Sequence, residues 1–242
     1  MEAAGIRVAV VISAGQEWGI VRERFAHNGL SLSPYGEWCI AQVDVAGRVE
    51  PVVFFHEGWG KIAAAAATQY VIDRWQPQLI VNLGTCGGFD GAIERETVVL
   101  AERTLVYDII EQMGDPEAAL QHYATDLDLS WLTEPYPMPV QRDLLVSGDR
   151  DLMVEEIPSL RARFGAAAGD WESGAIAYVA ARNGVRCLIL RGVTDLVGAD
   201  GGEAYDGSVT FFRAQARIVM TRLLDALPAW LACVDWELET GS

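Results

Sequence analysis

The sequence is poor in the residues that metal sites and disulfide frameworks require. It contains four cysteines and three histidines in 242 residues, and no C-x-x-C pair or zinc-type Cys/His spacing occurs. Cys39 and Cys187 lie within apolar runs, which is typical of small buried side chains. We therefore expect no metal site. Because the sequence has neither a dinucleotide-binding fingerprint nor a Walker A motif, we also expect no cofactor.

Basic residues are also scarce, with 18 Lys and Arg against 34 Asp and Glu and a formal net charge of -16. A polyanion is repelled by nucleic-acid phosphates and by anionic membrane surfaces, so we expect neither as a partner. The first apolar stretch is short and lacks a basic n-region before it, and no run is long enough to span a bilayer. We therefore expect a cytoplasmic protein whose charge provides solubility.

What the sequence does contain is an alternation of apolar strand-like runs with helical patterns. Ile6 to Ile12 is rich in β-branched residues and predicts a buried strand, and a helix follows to about Ala26. This alternation predicts an α/β fold with a mostly parallel sheet between helical layers, and we expect residues 1–242 to form a single domain. Further strands are predicted near 38–45, 51–55, 78–83, 97–101, 144–147 and 186–193, and further helices near 61–75, 172–183 and from a Ser208 cap to about 227.

The segment from Asp108 to Pro139 is the least regular part of the chain. It is rich in acidic residues, contains four prolines and includes Trp131 and Tyr136. We expect a long excursion over the surface, of the kind that often carries function.

A glycine-rich motif, Gly84-Thr85-Cys86-Gly87-Gly88, follows a buried-strand pattern. Ligands of open α/β sheets bind at the carboxyl ends of strands, and glycines let the backbone approach a ligand closely. The sequence predicts a loop at this point. Both an ordinary tight turn and a ligand-binding loop are compatible with the glycines alone.

Three carboxylates stand at comparable places in the pattern. Glu17 follows the first strand, Glu172 precedes an alanine-rich helix, and Asp195 ends the strongest strand pattern, with a glycine-rich, mobile segment predicted after it. Each also has an ordinary interpretation as a carboxylate at a helix start or in a turn. At a helix start, such a carboxylate stabilises the helix by ~0.3–1 kcal/mol and needs no catalytic role. The functional interpretation is that all three lie at one edge of the sheet, where Glu172 is able to accept two hydrogen bonds from a ribose diol.

Together these segments resemble the nucleoside phosphorylase and nucleosidase superfamily, and most closely the methylthioadenosine/S-adenosylhomocysteine nucleosidases. The resemblance covers Val8 to about Leu224 and rests on the order and spacing of the motifs. It implies an α/β three-layer sandwich with a central mixed, barrel-like β-sheet flanked by helices. The motifs are the Glu17 segment, Gly58-Trp59-Gly60-Lys61 with its alanine helix, Gly84 to Gly88, Val146-Ser147-Gly148-Asp149, Trp171-Glu172 and Thr194-Asp195.

The resemblance also implies roles for individual residues. Asp195 becomes the acid that protonates N7 of the leaving purine, Glu17 the base that orients or deprotonates the attacking water, and Glu172 the ligand of the ribose hydroxyls. It implies a homodimer in which part of the Asp108–Pro139 excursion closes the neighbour's pocket. The remaining substrate-binding residues that it implies are Trp59, Thr85, Gly87, Asp151, Leu152, Trp171 and Thr194.

The sequence departs from this pattern in two places. Gly15 and Gln16 stand where the nucleosidases have acidic residues, and Asp151 stands where an aromatic residue stacks the base. The base is then stacked by Trp171 or Trp59, or it is not adenine.

Three functions remain open: a hydrolase, a phosphorylase of the same fold, and a nucleoside-binding protein without turnover. Purine nucleoside phosphorylases place an arginine two residues before the glycine motif to hold phosphate, and Asn82 occupies that position here. The sequence therefore predicts water as the nucleophile.

Overall fold

The computed structural model describes residues 5–205 and 209–238. The predicted cap residue Ser208 lies outside the described residues. The helices are α1 (Gly15–Phe25), α2 (Gly60–Trp75), α3 (Pro116–His122), α4 (Ile157–Phe164), α5 (Ser173–Arg182) and α6 (Val209–Ala232). The strands are β1 (Val8–Ile12), β2 (Ser31–Ser33), β3 (Gly36–Val45), β4 (Arg48–His56), β5 (Leu79–Phe89), β6 (Val98–Val106), β7 (Ala124–Asp126), β8 (Gln141–Ser147), β9 (Ala168–Asp170), β10 (Arg186–Gly198) and β11 (Gly201–Gly202).

The described strands form one mixed sheet that closes on itself at one end. Its order is β11-β10-β6-β8-β9-β5-β1-β4-β3-β2, and an additional pairing of β10 with β5 closes the five strands β5, β9, β8, β6 and β10 into a barrel. β4, β1, β5 and β10 run parallel, whereas β3 pairs antiparallel with β4, and β10 pairs antiparallel with β6. The expected mixed, barrel-like sheet is confirmed. The expectation of a mostly parallel sheet holds for these four strands and for β6, β8 and β9, which also pair parallel, but not for the sheet as a whole.

Alternating side chains of the strands place the two helical layers. In β1, Val8, Val10 and Ile12 pack in the hydrophobic cluster that contains α1 and α6. Ala9 and Val11 point the other way, into the cluster that contains α2 and α5. Because successive strand residues face opposite sides, a strand that is apolar throughout is buried on both faces. The three-layer α/β sandwich is therefore confirmed.

Helix α2 packs closely because its buried side is built from alanine. Ala64 and Ala67 are fully buried among β-strand side chains, and small side chains let helix and sheet approach. Its first residue, Gly60, has φ +83, and a Cβ there would lie 2.9 Å from Asp149 Oδ1. A glycine at this position lets the helix begin directly against the end of β8.

The segment from Asp108 to Pro139 is less of a surface excursion than the sequence predicts. It contains α3 and β7, and Trp131 is only 2% exposed, packed in the same cluster as α6. The ring of Tyr136 lies 5.3 Å from that of Trp230 on α6. Trp131 and Tyr136 stand in a proline-containing stretch and form no periodic pattern with other apolar residues that would have predicted their packing against the core.

In the described part of the chain, no helix is both long enough and apolar enough to cross a membrane.

Candidate active site

The predicted site residues converge on one cavity of about 440 Å³ at the barrel end of the sheet. The cavity is lined by all ten residues singled out from the sequence: Glu17, Trp59, Thr85, Gly87, Asp151, Leu152, Trp171, Glu172, Thr194 and Asp195. They come from α1, β5, β10 and the connections before α2, α4 and α5. The closed barrel brings these separate elements to one place.

The glycine motif lies inside a strand, so the predicted loop at this point is wrong. β5 continues to Phe89, with Thr85 opposite Gly192 of β10 and Gly87 opposite Gly169 of β9. A Cβ at Gly84 would lie 2.2 Å from Arg191 Nη1, and one at Gly87 would lie 2.9 Å from Leu152 Cδ1. These glycines make room for cavity side chains rather than for a turn.

Glu17 is buried at the cavity floor and accepts three hydrogen bonds. Its Oε1 accepts from the backbone N–H and the hydroxyl of Thr85, both at 2.7 Å, and its Oε2 accepts from the Ala14 N–H at 3.2 Å. Burial raises the pKa of Glu17, while Arg191 and these donors act in the opposite direction. These hydrogen bonds fix the orientation of the Glu17 carboxylate before any substrate binds.

Glu172 stands at the start of α5, but its carboxylate does not cap that helix. Oε1 accepts from the Gly60 N–H at 3.0 Å, and Oε2 lies 3.8 Å from Arg191 Nη2. Burial raises its pKa to about 7; Arg191 opposes this shift and Asp170 adds to it. The helix-start interpretation does not account for these contacts, because the carboxylate is turned toward α2 and the cavity.

Asp195 lies within β10, not at the end of a strand as expected. It follows a register shift between Val193 and Asp195 in the pairing with β5, which turns its side chain to the cavity. The segment after Asp195 begins with a short hairpin, with Gly198 opposite Gly201 of β11. The mobility expected of this segment stays a prediction, and Gly207 lies outside the described residues. β10 continues to Gly198, so strand backbone both precedes and follows Asp195 along the chain.

The surroundings of Asp195 favour its protonated form. It is 6% exposed and its Oδ1 accepts from the hydroxyl of Thr194 at 2.7 Å. Burial raises the pKa of Asp195; the Thr194 hydrogen bond opposes this, and the charges of Glu203 and Asp151 add to it. A carboxylic acid that keeps its proton is suited to donate it.

Arg191 is the main residue that sequence reasoning left without a role. It is 1% exposed, its Nε lies 2.9 Å from Asp170 Oδ2 and donates to Ser173 Oγ at 3.0 Å, and its Nη1 donates to the Thr85 carbonyl at 3.3 Å. Its Nη2 has no hydrogen-bond partner among the described residues. An arginine in an otherwise apolar strand pattern was the available signal, since a buried guanidinium requires partners.

Apolar and aromatic side chains also line the cavity. They are Leu152, Trp171, Tyr205 and Phe212. Tyr205 donates from its hydroxyl to the Leu152 carbonyl at 3.3 Å. The rings of Tyr205 and Phe212 were not predicted, because they stand after the recognised motifs and in no periodic pattern with them.

Asn82 does not line the cavity. Its amide donates to the Val11 carbonyl at 3.1 Å and accepts from the Ser173 hydroxyl at 3.1 Å. Within residues 5–205 and 209–238, no group of three His, Cys, Asp or Glu side chains is arranged to hold a metal ion. The polar side chains that line the cavity carry carboxyl groups, hydroxyls, the Gln16 amide, the Cys86 thiol and the guanidinium groups of Arg150 and Arg191.

Comparisons with known proteins agree with this geometry. Residues 7–228 match the family model of the phosphorylase superfamily. The chain is similar to the 5′-methylthioadenosine/S-adenosylhomocysteine nucleosidases of Thermotoga maritima, 30% identical over 166 residues (68% of this chain, 74% of the relative), and Halalkalibacterium halodurans, 28% identical over 189 residues (72% and 82%).

Solved structures share the fold. The nucleosidase of Colwellia psychrerythraea in complex with adenine superimposes with a TM-score of 0.74 at 20% identity, covering 99% of this chain and 100% of that one. With a family model matched over most of its length and this shared fold, the chain belongs to the phosphorylase superfamily, as the resemblance predicted.

Proposed function

We propose that the protein is a nucleosidase that hydrolyses the N-glycosidic bond of a purine nucleoside, giving the free base and a ribose moiety. The observation that carries this is the pair of carboxyl groups in one cavity, Glu17 held by N–H and O–H donors and Asp195 in surroundings that favour its proton. The curated relatives are 5′-methylthioadenosine/S-adenosylhomocysteine nucleosidases, which supports a 5′-modified nucleoside as substrate.

Asp195 acts on the base. Cleavage of the C–N bond moves electrons onto the purine, and a proton delivered to N7 neutralises that charge. The apolar side chains around Asp195, including Leu152 and Phe212, exclude water from this end and suit a flat ring. Trp171, Tyr205 and Phe212 supply the ring contacts that Asp151 cannot provide.

Glu172 binds the ribose. One of its oxygens is held by the Gly60 N–H and the other lies near Arg191, so the carboxylate is oriented before substrate arrives. Two vicinal hydroxyls are able to donate to it, and hydrogen bonds to a charged group are worth ~1.5–3 kcal/mol.

Glu17 acts on the nucleophile. As the bond breaks, the sugar takes on oxocarbenium character, and water attacks C1′ while giving a proton to Glu17. Arg191 Nη2, which has no hydrogen-bond partner in the described residues, is suited to hold that water between Glu17 and Glu172. This gives Arg191 a positioning role in addition to its charge.

Water rather than phosphate fits this site. A phosphate dianion needs several cationic donors, yet Arg191 is already paired with Asp170 and faces two glutamates. Asn82, at the position of the phosphorylase arginine, is bonded within the sheet and does not line the cavity. An added dianion would meet Glu17 and Glu172 without compensation.

We further propose a homodimer in the cytoplasm. Trp131 and Tyr136 pack against the hydrophobic core of their own chain, so we do not place them in the dimer interface. Instead, Lys61 is paired with Asp108, and exposed apolar side chains lie close to these two residues in the sequence: Trp59, which lines the cavity, Ile62, Ile110 and Met113. Light scattering tests this face, since Ile62→Glu is expected to give monomers. A dimer unaffected by that change would contradict the assignment.

The decisive experiment is product analysis on a panel of purine nucleosides, with and without saturating phosphate. Free base and free ribose moiety at a rate independent of phosphate are expected. A sugar 1-phosphate, or a rate that vanishes without phosphate, would identify a phosphorylase. Binding without any base release would identify a nucleoside-binding protein.

A further inference from the structure

A third buried glutamate, Glu57, lies beside the site and takes no part in the reaction proposed above. It follows β4 and is 2% exposed. Its Oε1 accepts from Ser13 Oγ at 2.7 Å, whereas Oε2 is buried and has no hydrogen-bond partner among the described residues. An ionised carboxylate with an unpartnered buried oxygen is far less stable than a neutral acid in the same place.

The charges that face Glu57 come from three elements. Glu17 on α1 and Glu172 before α5 repel a negative charge on it, and Arg191 on β10 attracts one. Burial raises its pKa to about 8, and the two glutamates add to that shift. The buried thiol of Cys187, also on β10, has a raised pKa through burial and to a lesser degree through Glu57. A single guanidinium cannot balance all these carboxylates, so Glu57 holds a proton near neutral pH.

Glu57 also connects the two parts of the backbone that orient the site carboxylates. Its N–H donates to the Ile12 carbonyl at 2.9 Å, and its carboxyl holds the Ser13 hydroxyl. The next residue, Ala14, donates its N–H to Glu17. Three residues after Glu57, Gly60 donates its N–H to Glu172.

We propose that Glu57 is a positioning residue which, as a neutral carboxylic acid, fixes the turn that aims Glu17 and keeps a further negative charge out of the cavity floor. This proposal rests on the proposed function, because it assigns Glu57 to the same site. When Glu57 loses its proton, its charge repels the ionised Glu17 and Glu172 and competes with them for Arg191, which displaces the two site carboxylates from the positions that the Thr85 and Gly60 N–H groups give them. Activity then falls on the alkaline side.

Two substitutions separate the positioning role from the charge. Glu57→Gln keeps an acceptor for Ser13 and is neutral at every pH, so kcat near pH 7 is expected to stay within about threefold of the wild type. Glu57→Leu and Ser13→Ala each remove the contact, and kcat is expected to fall roughly tenfold with KM little changed. Equal kcat in the Gln and Leu variants would contradict the positioning role.

The charge is tested by pH and by infrared spectroscopy. In the wild type, a protonated carboxyl band is expected to disappear as pH rises through about 8, and Glu57→Gln should lack that band and keep activity to higher pH. The same band in the Gln variant would overturn the proposal. The infrared result does not depend on catalysis. A wild type that shows the band but releases no base would therefore contradict the proposed function and leave the assignment of Glu57 intact.

Discussion

At the scale of single residues, the proposed acid and the proposed base are both carboxyl groups and differ by their surroundings. Glu17 accepts hydrogen bonds from three donors, whereas Asp195 accepts one from a single hydroxyl and faces the charges of two other carboxylates. Such a difference suits one carboxyl group to accept a proton and the other to give one.

Replacing the acid tests this assignment. Asp195→Asn removes the proton that N7 receives, so kcat is expected to fall by ~10²–10⁴-fold while the fold is kept. Steady-state kinetics and circular dichroism measure the two quantities. Asp200→Asn, the same change at an exposed position in the hairpin after β10, should leave kcat unaltered. A folded Asp195→Asn enzyme with wild-type turnover would remove Asp195 from the mechanism.

Substrates lacking one hydroxyl test the ribose contact. A 2′-deoxynucleoside loses one of the two hydrogen bonds to Glu172, so kcat/KM is expected to drop by ~10–100-fold. In Glu172→Gln the preference should shrink, because the neutral amide accepts more weakly. Equal kcat/KM for the ribo and deoxy substrates would show that Glu172 does not hold the diol.

Residue types and spacing predicted every polar group placed in the reaction except Arg191. Arg191 stands within the apolar pattern of β10, and only the fold shows that its guanidinium reaches Asp170, Ser173 and Thr85. Tyr205 and Phe212 were missed for a different reason. They come to the cavity from beyond the last motif, so no spacing relates them to it.

At the scale of elements, strand ends were the weakest part of the prediction. β5 and β10 run well past the points where their apolar patterns stop, through Gly84 to Gly88 and through Asp195. Glycines and an aspartate have low strand propensity, so local reasoning ends a strand there. The closed barrel overrides that preference, because each of these segments has hydrogen-bonded neighbours on both sides.

A glycine substitution tests this account of β5. Gly84→Ala would place a Cβ 2.2 Å from Arg191 Nη1 and 3.2 Å from Glu17 Oε1. We expect a loss of stability of ~1–3 kcal/mol and a fall in kcat of at least about tenfold. Urea unfolding and kinetics measure both effects.

The matched control is Gly19→Ala, since a Cβ at Gly19 in the middle of α1 meets nothing within 4 Å. That change is expected to stabilise the helix by ~0.5–1 kcal/mol. If Gly84→Ala were tolerated as well as the control, the glycine would be an ordinary strand residue.

At the scale of the whole molecule, several buried carboxyl groups share one region and all have raised pKa values. Burial is the largest cause for Glu17, Glu57, Glu172 and Asp195. The formal net charge of -16 counts these four groups as ionised. The prediction that residues 1–242 form a single domain stays a prediction, although the family model spans residues 7–228.

These shifts set the direction of the pH dependence of stability. A carboxyl group whose pKa is higher in the folded than in the unfolded protein binds more protons in the folded state between those two pKa values. Its contribution to stability is complete below the unfolded-state pKa and is lost as the pH rises through the folded-state pKa. With Glu172 at about 7 and Glu57 at about 8, the free energy of unfolding should fall between about pH 5 and 8, by up to ~1.4 kcal/mol per pH unit for each group.

Urea titrations at a series of pH values measure how steeply the free energy of unfolding falls with pH, and Glu57→Gln should make that fall less steep. A free energy of unfolding that rose steadily over the same range would mean that these carboxyl groups are ionised in the folded protein. Exposed carboxylates with lowered pKa, such as Glu23 and Glu117, act at lower pH and do not mask the effect.

The pairing of β10 with β5 that closes the barrel has a consequence for substrate choice. Asp195 lies opposite Gly87 and Gly192 opposite Thr85, the residue that holds Glu17. Glu17 on α1 is tied to β5 through Thr85, and Asp195 is carried by β10, so the pairing of these two strands fixes where the two carboxyl groups stand relative to each other. A slip of one residue in that pairing would shift Asp195 along the strand by ~3.3 Å. If the proposed roles hold, a nucleoside is cleaved only when its base reaches Asp195 while its anomeric carbon lies beside Glu17, so we expect one-ring pyrimidine nucleosides to react more slowly than purine nucleosides.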